Sequence, residues 1–139
     1  MEYKRVVVTG LGVISPIGNT IKEFWNSTLA GKSGVARLTA FDPSHFSCQI
    51  AAEVKNFDPK EYMSEKEAKR LDRFVQFGLA ASKLAILDSS LNLDREDRNR
   101  IGVMVGSGIG GLHTVEREHL EYLKRGPEKG PSKITPFLI

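Results

Sequence analysis

Glycines between a predicted strand and a predicted helix form the first pattern in this sequence that could bind a ligand. Gly106, Gly108 and Gly111 satisfy G-x-G-x-x-G in the strand–turn–helix context that dinucleotide sites use. Such glycines let a pyrophosphate approach the backbone at a helix N-terminus. The acidic residue expected about 20 positions further on has no counterpart at the end of a strand, because Glu128 lies in a predicted loop. Close packing of strand, turn and helix is therefore the favoured explanation.

The single cysteine and the three histidines form no recognisable catalytic or metal-binding pattern. Cys48 lies on the apolar side of an alternating segment, whereas a nucleophilic thiol needs a nearby base or a helix N-terminus. We expect Cys48 to be a small buried residue. His113 and His119 are six residues apart, which is not a spacing that puts two ligands on one helix face. His45 stands alone in a predicted loop, so we predict no catalytic residue and no metal site here.

Basic side chains form the second pattern with a possible binding function. Residues 64–67 (Ser-Glu-Lys-Glu) fit a capping box and predict the start of a long helix. A helical wheel places on one face of that helix the group called here the basic cluster: Lys66, Lys69, Arg70 and Arg73. A solvated helix face explains many such groups, but the neighbouring acidic residues fall off this face. The patch would attract an acidic protein, a phosphate-bearing ligand or nucleic acid.

The elements that must position these residues alternate between strands and helices. Residues 5–9 and 101–105 are apolar runs typical of strands buried on both faces, and residues 48–55 alternate like a further strand. Residues 31–47 are predicted to be mostly loop. Strands and helices joined by glycine-rich turns predict an α/β layered fold with a largely covered sheet. No internal domain boundary is predicted in residues 1–139.

Helices are predicted from apolar spacing and from start and stop signals. The first begins after Thr20, whose capping pattern extends to Glu23, and ends near Gly31. The second follows the capping box at residues 64–67 and continues to Ile86. The third covers residues 112–124 and carries a stripe formed by Leu112, Val115, His119, Leu120 and Leu123.

Length and composition exclude several classes of protein. A chain of 139 residues has the size of one domain, and 40% hydrophobic with 27% charged residues is typical of a globular protein. A net charge of +3 is far below the excess that favours nucleic acid as a partner. No apolar run has the length of a membrane span, and residues 1–20 lack a signal-peptide pattern. We therefore expect a cytoplasmic chain that binds neither membrane nor nucleic acid.

Four segments, taken in order, resemble the N-terminal portion of the β-ketoacyl-acyl-carrier-protein synthases. They are VVVTGLGVISPIGN (residues 6–19), the pair Phe41-Asp42, KEAKRLDRFVQFG (residues 66–78) and IGVMVGSGIGG (residues 101–111). The type II condensing enzymes of fatty-acid synthesis are the most similar. The resemblance implies a thiolase-like fold, layered αβαβα and formed from two related halves, that works as a homodimer. It also implies a decarboxylating Claisen condensation that uses acyl and malonyl thioesters of acyl-carrier protein and no cofactor.

The catalytic residues of that family do not match any residue of this chain. Family members are several times longer, with a nucleophilic cysteine in a T-A-C-S-like turn and two histidines in H-G-T and G-H contexts. Cys48 lies in FSCQI, and the histidines lie in the contexts SHF, LHT and EHL. The apolar run at residues 134–139 is typical of a chain that continues. The resemblance therefore implies an N-terminal part of an acyltransferase that is inactive alone.

Non-catalytic roles do transfer from the family. Lys66, Lys69 and Arg70 match basic positions that such synthases present to acyl-carrier protein, and Arg73 shares their face. Ile109 matches a residue of the acyl channel, and Phe137 matches an aromatic near the dimer interface that lines the partner's pocket. Two alternatives stay open, namely a non-catalytic module that binds carrier protein and a dinucleotide-binding domain.

Overall fold

The computed structural model describes residues 3–126, which fall into two compact units. The first unit contains residues up to 58 together with residues 80–95, and the second contains residues 59–79 and those from 96 onward. The described elements, in order, are α1 (Ile21–Leu29), β1 (Val35–Arg37), β2 (Ile50–Ala52), α2 (Glu65–Ala68), α3 (Arg73–Ser89) and α4 (Leu112–Arg125), with short 3-10 turns at Pro59–Glu61 and Arg98–Arg100. Helix α3 begins in the second unit and ends in the first.

An antiparallel hairpin lies in the first unit. Its strands β1 and β2 pair in the register Val35↔Ala52, Ala36↔Ala51 and Arg37↔Ile50. The strand predicted within residues 48–55 is confirmed at its centre, and residues 31–47, predicted to be mostly loop, contain the three-residue strand β1. Three residues are too few to show an alternating pattern, so β1 is formed by its hydrogen bonds to β2 and not by a signal of its own.

Two glycines of the first unit lie directly against the backbone of α3. A Cβ placed on Gly12 would be 1.9 Å from the carbonyl oxygen of Ala81, and one on Gly10 would be 2.4 Å from that of Ala85. Between them, the Leu11 amide donates a hydrogen bond to Asp88 Oδ2 at 2.9 Å. The glycines are required here because any side chain would separate this segment from the helix.

The two apolar runs predicted as buried strands do not form strands within residues 3–126. Residues 5–9 are exposed, with Val6 at 92%, and in residues 101–105 Met104 is exposed at 98%. A strand exists only where a neighbour accepts and donates its backbone hydrogen bonds. The described part of the chain pairs neither run with such a neighbour, so this prediction is wrong for the structure as it stands.

The two helix starts predicted from capping patterns are confirmed. Thr20 Oγ1 accepts a hydrogen bond from the Glu23 amide at 3.2 Å, although the Glu23 carboxylate accepts from the Asn19 amide instead of that of Thr20. At α2 the reciprocal capping box of Ser64 and Glu67 is complete. Helix α1 ends as predicted, because Gly31 adopts a φ of +62° directly after the last turn.

The long helix predicted from residue 65 to residue 86 is broken. Helix α2 ends at Ala68 and α3 begins at Arg73, so residues 69–72 form a linker between them. The side-chain amide of Gln76 donates to the carbonyl oxygens of Ala68 and Leu71, at 2.8 and 3.1 Å. The carbonyl at the end of α2 and one in the linker therefore accept hydrogen bonds from a side chain. In a continuous helix they would accept from backbone amides of the next turn.

Helix α4 is confirmed over residues 112–125, but its apolar stripe faces outward. Leu112, Leu120 and Leu123 are exposed at 59%, 53% and 63%, whereas Thr114 and Glu118 are buried. An apolar stripe ordinarily packs against a core. Among the described residues the polar face of α4 makes the buried contacts instead.

Candidate functional site

The basic cluster is exposed, but it does not share one helix face as the sequence predicts. Lys66 lies in α2, Lys69 is its C-cap, Arg70 lies in the linker and Arg73 is the first residue of α3. The prediction is wrong because the helix breaks at residues 69–72, which interrupts the periodicity on which the wheel depends. The four basic residues instead lie at the end of one helix, in the linker and at the start of the next helix.

The members of the basic cluster differ in how far their charge is compensated. Lys69 Nζ is 2.8 Å from Glu65 Oε1, and both side chains are mostly exposed, so this ion pair contributes little stability. The guanidinium carbon of Arg73 lies 4.6 Å from the centroid of the Phe77 ring. In the part of the chain that the structure describes, neither an ion pair nor a side-chain hydrogen bond is formed by Lys66 or Arg70. These two residues therefore carry the uncompensated positive charge.

Sequence reasoning missed two buried polar residues beside the cluster. Gln76 is 8% exposed and lies under the linker that carries Arg70. Thr114, in α4, is 5% exposed and its hydroxyl donates a hydrogen bond to Asp72 in that linker. The sequence offered one signal for them. Helical periodicity places Gln76 and Thr114 beside residues expected to be buried, and a polar side chain at such a position needs a hydrogen-bond partner.

In the glycine-rich turn at residues 106–111, the first two glycines of the fingerprint are not closely packed. A Cβ on Gly106 or Gly108 would meet no atom within 4 Å, so close packing does not explain either glycine in the described residues. Gly110, which the fingerprint does not require, adopts a φ of +71° and its amide donates to Ser107 Oγ at 3.0 Å. The turn therefore needs a glycine at Gly110 for backbone conformation.

Of the two residues expected in an acyl channel, one lies within the described residues. Ile109, at the tip of the glycine-rich turn, is 73% exposed. Phe137 lies outside the described residues. Their assignment to a channel stays a prediction.

Cys48 is exposed, so the expectation of a buried thiol is wrong. Its Sγ lies 3.6 Å from the carbonyl oxygen of Ile50, and Ile50 is itself 61% exposed. The alternate residues Gln49 and Ala51 are the half-buried ones, so the apolar side of this strand faces outward. Alternation defines two faces of a strand but does not say which face contacts a core.

The histidines are exposed and separate in their surroundings. His113 and His119 lie on α4, and His45 lies in the loop between β1 and β2. Between residues 3 and 126, no three histidine, cysteine or carboxylate side chains are grouped as metal ligands would be. None of the helices described has both the length and the apolar character needed to cross a bilayer.

Residues 3–138 match the family model of the β-ketoacyl synthase N-terminal domain. The chain belongs to the β-ketoacyl synthase family. The ordered motifs that resemble this family in the sequence are therefore confirmed as family motifs.

Curated relatives of this β-ketoacyl synthase chain carry one common description. This chain is 46% identical over 139 residues to 3-oxoacyl-[acyl-carrier-protein] synthase 2 of Vibrio cholerae, and the alignment covers 100% of this chain and 33% of the relative. It is 45% identical to the enzyme of the same name from Synechocystis sp., again covering 100% of this chain and 32% of the relative. The Staphylococcus aureus enzyme (strain COL) is 40% identical, covering 99% and 32%. The chain thus spans about one third of the length of these relatives.

Solved ketosynthase structures share the fold. The ishigamide ketosynthase/chain length factor has a TM-score of 0.72 at 29% identity, covering 95% of this chain and 32% of that one. A type II PKS acyl-carrier protein in complex with its ketosynthase bound to the hexaketide (AntDE:AntF) has a TM-score of 0.70 at 26% identity, covering 99% and 36%. The α/β class predicted from the sequence is confirmed as that of the thiolase-like ketosynthases.

Proposed function

We propose that this chain is the N-terminal part of a β-ketoacyl-acyl-carrier-protein synthase II, an acyltransferase that elongates fatty acids. The observation that carries the proposal is 40–46% identity, along essentially the whole chain, to relatives described as 3-oxoacyl-[acyl-carrier-protein] synthase 2. The family model supports it over residues 3–138.

The reaction proposed for the whole enzyme joins two thioesters. A cysteine thiolate displaces the carrier thiol and forms an acyl-enzyme thioester. Malonyl-carrier protein then loses CO₂, and the resulting carbanion attacks the acyl carbonyl, which releases the cysteine and forms a 3-oxoacyl-carrier thioester. The acyl transfer needs an activated thiol as nucleophile, and both steps need groups that stabilise an oxyanion.

The described residues of this chain do not offer those groups, so we propose that it does not condense thioesters by itself. Cys48 is exposed and its Sγ contacts the backbone carbonyl of Ile50, which cannot activate a thiol as a base would. The three histidines are exposed in a loop and on α4. Incubation of the 139-residue protein with acyl- and malonyl-carrier protein should yield no 3-oxoacyl product by mass spectrometry. Turnover above a Cys48→Ser control would overturn this part of the proposal.

The contribution of this chain is proposed to be docking of the acidic acyl-carrier protein on the basic cluster. Lys66 and Arg70 are exposed and have no ion-pair partner among residues 3–126, and Lys69 forms a solvent-exposed ion pair with Glu65. Exposed charges of one sign raise association rates and fix the orientation of an oppositely charged partner. A similar ketosynthase structure contains an acyl-carrier protein. We further propose that Ile109 and Phe137 line the acyl channel of a homodimer, as the family pattern implies.

Charge reversal tests the docking surface. Lys66→Glu combined with Arg70→Glu should weaken binding of an acidic acyl-carrier protein by at least about tenfold and reduce its salt dependence. The matched control is Lys22→Glu with Lys32→Glu, two exposed lysines of the first unit whose replacement changes the net charge equally. Titration calorimetry at two ionic strengths measures both quantities. An unchanged affinity for the Lys66/Arg70 variant, or an equal loss in the control, would remove the docking surface.

A further inference from the structure

The linker between α2 and α3 is held by one buried amide that reaches both of its ends. Gln76 Nε2 donates to the carbonyl oxygen of Ala68 at 2.8 Å and to that of Leu71 at 3.1 Å. Lys69 and Arg70 lie between those two carbonyls in the chain. With Gln76 only 8% exposed, this amide is shielded from water, so its bonds to the linker have few competitors.

A second polar contact holds the same linker from another element of the second unit. The Thr114 hydroxyl in α4 donates to the Asp72 carboxylate, the last residue of the linker, and Thr114 is 5% exposed. Asp72 is also the acidic residue next in the chain to Arg73 and two residues from Arg70. Its carboxylate is thereby engaged by a neutral hydroxyl, and within residues 3–126 Arg70 forms no ion pair with it.

Packing alone does not require these groups. An apolar side chain of similar length would fill the place of Gln76, but it would leave the carbonyl oxygens of Ala68 and Leu71 without the amide that now donates to them. What the amide adds is a fixed path for the backbone of residues 69–72. A binding surface with a fixed backbone loses less conformational entropy when it meets its partner.

We propose that Gln76, supported by the Asp72–Thr114 hydrogen bond, is a positioning residue for carrier docking, which holds Arg70 and Lys69 at the geometry that the acidic partner meets. This inference rests on the proposed function, because it assigns a role to residues behind the same docking surface. Gln76 is buried, so its effect passes through the basic residues that it holds, namely Lys69 and Arg70 in the linker and Arg73, whose Nη1 donates to Gln76 Oε1 at 3.5 Å.

The test replaces Gln76 by methionine, which keeps the volume and removes the two hydrogen bonds to the linker together with the one that Gln76 Oε1 accepts from Arg73 Nη1 at 3.5 Å. Carrier-protein affinity of the 139-residue chain should fall about fivefold, the amount expected for one or two lost hydrogen bonds. The matched control is Gln49→Met, since Gln49 Nε2 also reaches two backbone carbonyls, those of Ser44 and Phe46 at 3.5 and 3.4 Å, in a loop without the cluster. The control should leave the affinity unchanged.

A double-mutant cycle separates positioning from general stability. If Gln76 acts through Arg70, the Gln76→Met effect on affinity should largely disappear in an Arg70→Ala background. An additive effect in that background would show a merely structural role and overturn the inference. Should Gln76→Met fail to give the circular dichroism of the parent chain, Thr114→Val serves as the second variant with the same expected coupling to Arg70.

The outcomes distinguish this inference from the proposed function. Unchanged affinity in the Lys66→Glu/Arg70→Glu variant would refute the docking surface, and the positioning role with it. Loss of affinity in that variant, with none in Gln76→Met or Thr114→Val, would refute the positioning role alone.

Discussion

Glu53 holds Thr39 by both of its polar hydrogens. Glu53 Oε2 accepts from the Thr39 hydroxyl at 2.8 Å and from its amide at 2.9 Å, while Oε1 accepts from the Ala40 amide at 3.0 Å. These hydrogen bonds connect the segment after β1 with the residue directly after β2. The hydrogen bond from the Thr39 hydroxyl is the largest cause that lowers the pKa of Glu53 below its ordinary value of 4.5.

The stability of the hairpin should depend on pH because the pKa of Glu53 is lowered. Because the carboxylate form is favoured in the folded hairpin, its stabilising contribution is fully present above the unfolded value of 4.5 and is lost as pH falls through the folded pKa. The protection factors of the Thr39 and Ala40 amides, which compare the observed exchange rate with the intrinsic rate at the same pH, should therefore fall on acidification below that range. Glu53→Gln should remove this dependence and Glu96→Gln, an exposed glutamate of a loop, should retain it. Equal pH profiles in the parent chain and Glu53→Gln would contradict the role of the carboxylate.

Gly12→Ala should destabilise the first unit by about 1–3 kcal/mol, the usual range for forcing an extra carbon into a packed contact. The new Cβ would lie 1.9 Å from the Ala81 carbonyl oxygen, which belongs to the helix backbone and cannot rotate away. Gly102→Ala is the matched control, since a Cβ there meets nothing within 4 Å. Chemical denaturation should show a loss for the first variant and none for the second. A similar midpoint for both would mean that the segment does not lie against α3.

Ser64→Ala should lower stability by about 1 kcal/mol, the usual cost of losing an N-cap. Ser64 Oγ accepts from the Glu67 amide at 3.3 Å, and the Glu67 carboxylate accepts from the Ser64 amide at 2.9 Å. Glu67→Gln should cost less, because glutamine also completes a capping box. Thermal unfolding of these variants beside Ser47→Ala, an exposed serine in the β1–β2 loop, provides the measurement. A loss in Ser47→Ala as large as in Ser64→Ala would refute the specific contribution of the cap.

Titration with NAD or NADP should leave the melting temperature of the chain unchanged. A ligand that binds the native state must raise it in proportion to the logarithm of its concentration above Kd. Gly106 and Gly108 border open space, and Glu128 was the acidic residue nearest to the expected position. A concentration-dependent rise would revive the dinucleotide hypothesis and contradict the family-based explanation of the turn.

The local signals of helix ends could be predicted from the sequence because they involve residues within four positions of each other. Thr20 and Ser64 cap α1 and α2, and Gly31 ends α1 with a positive φ. Each depends on a side chain or backbone angle that acts on its own turn of helix. The family could also be predicted, because ordered motifs along residues 6–111 identify it without any coordinates.

The break after α2 could not be predicted, because it depends on hydrogen bonds between residues that are far apart in the sequence. Gln76 reaches back eight residues to Ala68, and Thr114 reaches Asp72 across 42 residues of sequence. A helical wheel assumes an unbroken helix and so placed Lys66 and Arg73 on one face. The exposed position of both residues was predicted correctly, whereas their common face was not.

By itself, the sequence determined the starts of α1, α2 and α4 and the family to which the chain belongs. Only the tertiary structure decided which faces are covered, as Leu120 is exposed on α4 while Thr114 is buried, and Cys48 lies outward on its strand. The physical reason is that periodicity is a property of one element, whereas burial and strand pairing are properties of an element and its neighbour.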